Sequence, residues 1–359
     1  EAHCISEWGH DFRPEYRKIR DIIDQISSDI KIIALTATAT PKVQDDVIKN
    51  LKIDNSKIFK SSFNRHNLFY EVRAKNESTD IDLLKFIKLN QNQSGIIYCL
   101  SRKNVEELSQ LLNMNGVKSL PYHAGLEKKI REENQDKFLK DECDVIVATI
   151  AFGMGIDKPD IRYVVHYSVP KSIEGYYQET GRAGRDGGKG HCLMYYSYKD
   201  VEKLEKLLSK KKSSDRNIGI MLLKEVSTFA ESSISRRKFL LNYFGEKYDP
   251  NINNDFEMDD NSKNIKEKIN VKDQLLFLLN NHFKNNKKVF VRDIIKDLPI
   301  DEKKGIDEKF WRTIITYSIV EGFLEKDISD FTSVKISNSG IEFISNPIEF
   351  YVSRDNDFS

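Results

Sequence analysis

Between residues 81 and 167 the chain alternates two hydrophobic periodicities, and few architectures accept that alternation. Helical spacing runs over residues 81–89, 104–114 and 128–139. Short apolar, β-branched runs stand at residues 95–99, 117–122, 144–148 and 161–167. Largely apolar, β-branched runs of this kind suit strands of a parallel sheet. Repeated βα units of this kind predict a parallel sheet with helices on both sides.

Upstream, residues 31–35 (KIIAL) read as a further buried strand, and the Thr/Ala run at 36–40 as the loop after it. Pro41 then stands where a helix can open, and Val43, Val47, Ile48 and Leu51 continue at helical spacing. Residues 58–63 suggest another strand, and the polar stretch 74–79 places a domain boundary near residues 65–75. Beyond Tyr198 the text turns Lys- and Glu-rich, with helices expected over 218–229 and 236–244. Residues 249–264 (DPNINNDFEMDDNSKN) are acidic and turn-rich, the composition of an exposed linker. Three helices over 271–283, 291–298 and 309–321, followed by a hairpin from 323–327 and 333–336, suggest a winged helix. Residues 345–359 are expected to fray. The boundaries predicted are 1–68, 69–205, 206–264, 265–345 and a tail, 346–359.

A length of 359 residues suits two or three domains. Lys and Arg number 57 against 56 Asp and Glu, so any nucleic-acid contact must come from local patches rather than a basic chain. The four cysteines, Cys4, Cys99, Cys143 and Cys192, show no metal-ligand spacing. Nothing in the sequence resembles a signal peptide or an apolar run of about 18 residues. A reducing cytoplasm is the compartment expected, with no membrane partner.

The stretch 176–187 (YYQETGRAGRDG) sets Arg182 and Arg185 three apart among Gly181, Gly184 and Gly187. Glycine spacing lets backbone approach a polyphosphate while two planar guanidinium forks aim the same way. Surface ion pairing would account for one such arginine but not for the whole stretch. The chain opens on Glu1-Ala2-His3-Cys4, similar to a DEAH-type Walker B box without its leading Asp. Residues 5–16 (ISEWGHDFRPEY) crowd Trp8, His10, Phe12 and Arg13 into a loop that also holds Gly and Pro. Together these resemble motifs II and VI and the aromatic-rich loop of the RecQ family of DNA helicases. Residues 36–40 resemble motif III, 97–102 (IYCLSR) motif IV and 147–159 (VATIAFGMGIDKP) motif V. The fold implied is α/β: RecA-like parallel-sheet lobes, the first truncated, then a helical hairpin region and a winged helix.

The resemblance implies an ATP-dependent 3′–5′ DNA helicase acting in repair and recombination, with ATP and Mg2+ as cofactors. Glu1 would polarise the attacking water, and His3 would sit near the γ-phosphate. Gln178, Arg182 and Arg185 come from motif VI. Arg185 is the arginine finger expected, with Arg182 as a γ-phosphate or Glu1-side contact. Gly153, Gly155 and Asp157 would lie near the nucleotide, and Thr149 on DNA phosphate. Trp8, His10, Phe12 and Arg13 would sense single-stranded DNA by stacking and phosphate contact; Phe12 could equally cap a core. Ser101 and Arg102 of motif IV would face DNA, although Ser101 could be no more than an N-cap. His123, in the box YHAGL, suits packing as well as function.

In the winged-helix text Lys287, Lys288, Arg292, Lys303, Lys304 and Lys309 could line a duplex-binding face, with Phe310 and Trp311 in the core. Partners implied are single-stranded and branched or duplex DNA, in a bacterial nucleoid setting. A single-strand-binding protein is a partner the resemblance allows.

Three departures stand out. Glu7 occupies a position where the family usually has Gln. Ser235 opens the segment SRRKFLLNYFGE where the family's zinc module has Cys, and no cysteine follows Cys192; no zinc is expected, and the hairpin should be held by Phe229, Phe239, Leu240, Tyr243 and Phe244. Asp255, Glu257, Asp259 and Asp260 could invite a hard cation or form a solvated linker. Lastly, the chain reads as a fragment without G-x-x-x-x-G-K-[ST], and is expected not to hydrolyse ATP alone. An RNA helicase of the DEAD or DEAH kind and a non-motor DNA-binding protein are the competing readings.

Overall fold

A computed structural model describes residues 1–8, 13–27, 30–153, 156–249, 257–264, 266–283, 288–327 and 333–358. The chain divides into two compact units, one of Glu1–Phe63, Glu231–Ile252 and Asn261–Asp357, the other of Asn64–Ala230, Asn253–Asp260 and Phe358–Ser359.

The first unit opens with two short 3-10 turns, Ala2–Ile5 and Pro14–Lys18, then α1 (Ile19–Ile26) and α2 (Pro41–Leu51). Thr40 caps α2 by accepting from the Val43 amide, Pro41 occupies the first turn, and Lys52 ends it in the left-handed region. Val43, Val47 and Leu51 bury one face against Ile5 and Ala39. The strands expected at 31–35 and 58–63 are not formed: residues 30–35 and 56–63 join no ladder among the described residues. Ile33, Leu35, Ile58 and Phe59 stand exposed. An extended run becomes a strand only when a neighbour takes its amides and carbonyls.

The second unit is built on β1 (Leu68–Ala74), α3 (Thr79–Leu89), β2 (Ser94–Tyr98), α4 (Arg102–Met114), β3 (Ser119–Tyr122), α5 (Lys128–Leu139), β4 (Val145–Ala148), β5 (Ile161–His166), α6 (Ile173–Thr180), β6 (Gly190–Tyr196), α7 (Tyr198–Leu208) and α8 (Ser213–Glu231), whose last residue belongs to the first unit. All six strands are parallel, in the order β1-β6-β5-β2-β4-β3. This is the expected RecA-like lobe. Every residue of β2 and β4 is buried, as strands covered on both faces must be. Leu83, Phe86 and Ile87 of α3 and Val105, Leu108 and Leu112 of α4 pack on Ile97, Val147 and Val165 of the sheet.

The free edge of β1 is covered by the acidic segment. Tyr70 donates its amide to the Met258 carbonyl at 3.3 Å and pairs with Asp259, while Asp260 accepts from the Val72 amide at 2.9 Å. Residues 257–260 are therefore not the solvated linker expected, and Asp259 is buried. The unpaired edge of a sheet needs such cover. Asp255 lies outside the described residues.

The rest of the first unit is α9 (Arg236–Tyr243), α10 (Asp260–Lys263, starting at the unit boundary), β7 (Ile269–Asn270), α11 (Lys272–His282), β8 (Val289–Phe290), α12 (Val291–Lys296), α13 (Glu308–Val320), β9 (Leu324–Lys326), β10 (Ser333–Ile336), α14 (Asn338–Ser345) and β11 (Tyr351–Val352). Helices α11 to α13 and the antiparallel sheet β8-β10-β9 make the winged helix. Leu275, Leu279, Ile294, Trp311, Ile314 and Ile315 form its core, and the Trp311 indole donates to the Pro299 carbonyl at 2.8 Å. The tail does not fray. β11 pairs with β7, Phe350 and Val352 are buried, and Asp355 accepts from the Ser233 amide and the Thr313 hydroxyl.

One polar network stiffens the lobe. Arg73 donates to Glu71 at 2.7 Å and to Asp82 at 2.8 Å, and His191 lies 2.7 Å from Glu71. Burial alone would push the Glu71 carboxyl up, but hydrogen bonds from His191 and Arg73 outweigh it and bring it from 4.5 down to about 2. The folded state thus favours the carboxylate, and this stabilisation is full above pH 4.5 and lost as pH falls toward 2. Glu71→Gln is expected to cost about 3 kcal/mol in urea unfolding at neutral pH. It should also flatten the acid limb of the stability curve; equal loss at pH 7 and pH 3 would refute the assignment.

Candidate nucleotide and DNA site

Parallel strands put all their starts at one end of the sheet, and the candidate residues sort by that polarity. Ser101, Arg102 and Thr149 follow the C-terminal ends of β2 and β4. Asp157, Arg182 and Arg185 lie in segments that lead into the starts of β5 and β6, while Gly153 follows Phe152, whose carbonyl accepts from the Tyr98 hydroxyl at the C-terminal end of β2.

Helix α6 is capped by Ser172, whose hydroxyl accepts from the Gly175 amide at 3.1 Å, and it buries Ile173 and Tyr176. It ends at Thr180, and the glycine-spaced turn begins. Gly184 has φ +56°, and a Cβ there would lie 2.4 Å from both the Asn67 amide nitrogen and the Gly188 carbonyl. Arg182 is buried and donates to the Gly153 carbonyl at 2.6 Å. Arg185 donates to the Ile156 carbonyl at 3.0 Å and stands 3.7 Å from the Asp157 carboxylate. Its side chain is 40% exposed, so of the two arginines it is the one open to a ligand. Burial, then the charge of Arg182, pull the Arg185 guanidinium down from its usual value. Gln178 is half-buried on α6. Gly155 lies outside the described residues.

In the first unit His3 is buried, 3.3 Å from the Glu1 carboxylate and 3.0 Å from the Thr36 hydroxyl. The structure therefore joins the first box to the Thr/Ala run. Trp8 is half-buried, with the Lys42 ammonium 5.9 Å from its ring, and Arg13 lies 5.9 Å over Tyr16. Glu7, the departure from the family pattern, pairs with Arg17 at 2.9 Å. His10 and Phe12 lie outside the described residues.

At the opposite end of the sheet Ser101 is the N-cap of α4, accepting from the Asn104 amide at 3.1 Å. Arg102 is exposed, its guanidinium beside Gly125. Thr149 is half-buried and accepts from the Ala151 amide at 3.4 Å. His123 is buried against Glu106 at 3.0 Å and accepts from the Gly125 amide, a packing role. In the winged helix Lys288 pairs with Asp327, and Arg292, Lys303 and Lys309 are exposed. Lys287 and the Lys304 side chain lie outside what is described.

Residues 79–187 match the family described as the helicase conserved C-terminal domain, and residues 198–255 match the one described as RecQ zinc-binding. The RecQ-like DNA helicase blm-1 of Caenorhabditis elegans is 48% identical over 254 residues, 69% of this chain and 26% of that protein. The ATP-dependent DNA helicase RecQ of Haemophilus influenzae is 45% identical over 255 residues, 71% of this chain and 41% of that protein. Over about 70% of its length this chain is thus similar to RecQ helicases. It spans less than half the length of either relative.

The second match corrects the expectation of no zinc, because the module it identifies is one described as zinc-binding. The donor set of this chain does not fit the metal, however. Residues 198–255 contain neither Cys nor His, and a structural zinc site takes four ligands drawn mainly from those two. At the position of the family's first cysteine Ser235 caps α9, accepting from the Lys238 amide. Phe239, Leu240 and Phe244 are buried there as expected, and Phe63 stacks on Phe244 at 4.5 Å. Phe229, near the end of α8 in the second unit, is buried as well and packs against Tyr176 of the same unit.

Sequence reasoning missed Arg65 and Asn67. Arg65 donates to the carbonyls of Gly181, Ala183 and Gly184, and Asn67 to those of Gly184 and Gly188. Their distance along the chain from the turn hides them. The packing around Gly184 makes a testable contrast with Gly187, which has φ +83° but open space around it. Gly187→Ala is expected to cost about 1 kcal/mol from backbone strain alone. Gly184→Ala should cost at least about 2 kcal/mol more, since it also displaces Asn67. Equal losses in thermal or urea unfolding would show that Asn67 does not hold the turn.

Proposed function

We propose that this chain works in an ATP-dependent 3′–5′ DNA helicase of RecQ type, in DNA repair and recombination. Its substrates on this reading are single-stranded, branched or duplex DNA. The observation that carries it is the contact of Arg182 with the Gly153 carbonyl and of Arg185 with Ile156 and Asp157, with Arg185 left part-exposed at one end of the parallel sheet. A guanidinium there can meet charge developing on a transferring phosphoryl group. ATP and Mg2+ are the cofactors this reading requires; when bound, the metal neutralises phosphate charge. His3 fixes Glu1 and Thr36 relative to one another, so the water-orienting carboxylate and the Thr/Ala run move together.

Ser101, Arg102 and Thr149, at the other end of the strands, are the backbone-positioning contacts to DNA. Trp8 and Arg13 supply stacking and phosphate contact on the aromatic-rich loop. Relatives named as ATP-dependent DNA helicases support the reading.

In the full-length protein Arg185→Ala is expected to lower DNA-stimulated ATP turnover by on the order of a thousandfold while nucleotide binding persists. Near-normal turnover would remove Arg185 from the role and make Arg182 the candidate. Trp8→Ala should reduce DNA stimulation several times more than basal hydrolysis. Equal losses in the two would assign Trp8 to packing alone, and DNA binding without any ATP turnover in the unaltered protein would favour a non-motor DNA-binding protein.

A further inference from the structure

The turn that carries Arg182 and Arg185 contains four glycines, Gly181, Gly184, Gly187 and Gly188. Glycine gives that backbone the freedom to fold tightly and, for the same reason, a large conformational entropy to lose. Such a turn aims two side chains reproducibly only if something outside it fixes its carbonyls. Arg65 and Asn67, which precede β1, do this. The Arg65 guanidinium lies 3.1 Å from the Gly181 oxygen, 3.0 Å from that of Ala183 and 3.3 Å from that of Gly184. The Asn67 amide lies 2.8 Å from the Gly184 oxygen and 2.6 Å from that of Gly188. The Asn67 carbonyl in turn accepts from the Gly190 amide at 2.9 Å, where β6 begins. These contacts bracket Arg182 and Arg185 on both sides. The carbonyls also continue past the C-terminal end of α6, where the helix dipole favours a cation.

We infer that Arg65 and Asn67 are positioning residues for Arg182 and Arg185: they clamp the glycine turn from behind and thereby set where the Arg185 guanidinium stands. The inference rests on the reading of Arg185 as the group that meets the phosphoryl charge. Arg65 itself touches carbonyls of the turn, so its effect passes through the turn. Only Arg has the planar fork that meets three carbonyls of one turn together; a Lys ammonium is a single point and recovers part of the effect.

Two measurements test it. Amide hydrogen exchange of residues 182–188 in this chain reads the clamp directly. Arg65→Ala is expected to speed that exchange tenfold or more on the order of magnitude set by local opening, and unchanged protection would overturn the clamp. In the full-length protein, DNA-stimulated turnover reads the consequence. Arg65→Ala should lower kcat on the order of a hundredfold with KM for ATP nearly unchanged, the scale of misplacing a reacting group by about an ångström. Arg65→Lys should recover part of the loss, and Asn67→Ala should lose about tenfold. The double variant Arg65→Ala/Arg185→Ala should be no slower than Arg185→Ala, because both changes remove one function. Losses that multiply would assign Arg65 a separate structural role and sink the proposal. If Arg65→Ala does not fold, Asn67→Ala decides alone: turnover at the unaltered rate overturns the inference. Near-normal turnover in Arg185→Ala marks failure of the underlying reading, whereas a dead Arg185→Ala beside a fully active Arg65→Ala marks failure of the clamp.

Discussion

Burial of β2 on both faces is the constraint on which the lobe depends. A strand with all five residues buried can keep its polar backbone only by pairing on both sides, and parallel pairing with β4 and β5 supplies this. Parallel pairing in turn forces each connection to cross over a face, which places α3 and α4 where their apolar stripes cover the sheet. It also gives the sheet a polarity. Segments entering strands and segments leaving them are kept at opposite ends. The helices and strands between them are the rigid matter through which the two ends are held at a fixed spacing.

In the first unit the backbone of residues 231–236 is held by polar contacts from the winged-helix side. Asn261 donates to the carbonyls of Ser232 and Ile234, both at 2.7 Å, and Asn356 donates to the Ser232 carbonyl at 3.0 Å. The Ser233 hydroxyl donates to the Ser353 carbonyl at 2.6 Å. These bonds are buried or part-buried, where leaving a carbonyl unpaired would cost about 1–3 kcal/mol each. A chain without cysteine in this module thus has a hydrogen-bonded means of joining α9 to the tail. That role also explains why residues 346–358, polar and near the end of the sequence, are ordered rather than frayed.

Much of this was legible in the sequence. The βα alternation gave β2, β4 and β5 and their helices because their apolar runs are β-branched and bounded by turn residues. Strand β6 was not read, since GHCLMYY contains no β-branched residue and its burial comes from lying between β1 and β5. The strands expected at 31–35 and 58–63 had the right residues, but strand formation belongs to a pair and not to a run. The acidic segment at 257–260 misled for the reverse reason: its composition is that of a linker, while the open edge of β1 takes the Met258 carbonyl and the Asp260 carboxylate. Arg182 was read as a γ-phosphate or Glu1-side contact, and spacing could not show that it is buried and donates to the Gly153 carbonyl of the neighbouring loop.

The turn at 181–188 shows why spacing alone could not reveal its support. Glycine spacing reports that the backbone bends closely, but a bend of that kind is satisfied from outside, and the donors come from residues over a hundred positions away. Three guanidinium groups, Arg65, Arg182 and Arg185, gather around one loop pair and each gives hydrogen bonds to carbonyls. Carbonyl dipoles orient such groups without cancelling their charge. The carboxylate that Arg185 meets, Asp157, is 93% exposed and therefore hydrated, so it offsets little of that charge. A partly desolvated cluster of fixed positive charge, with one fork left accessible, is an arrangement that gains from a polyanion of compact geometry. On the proposed reading that polyanion is a nucleoside triphosphate, and the proposed clamp behind the turn would hold the fork in place for it.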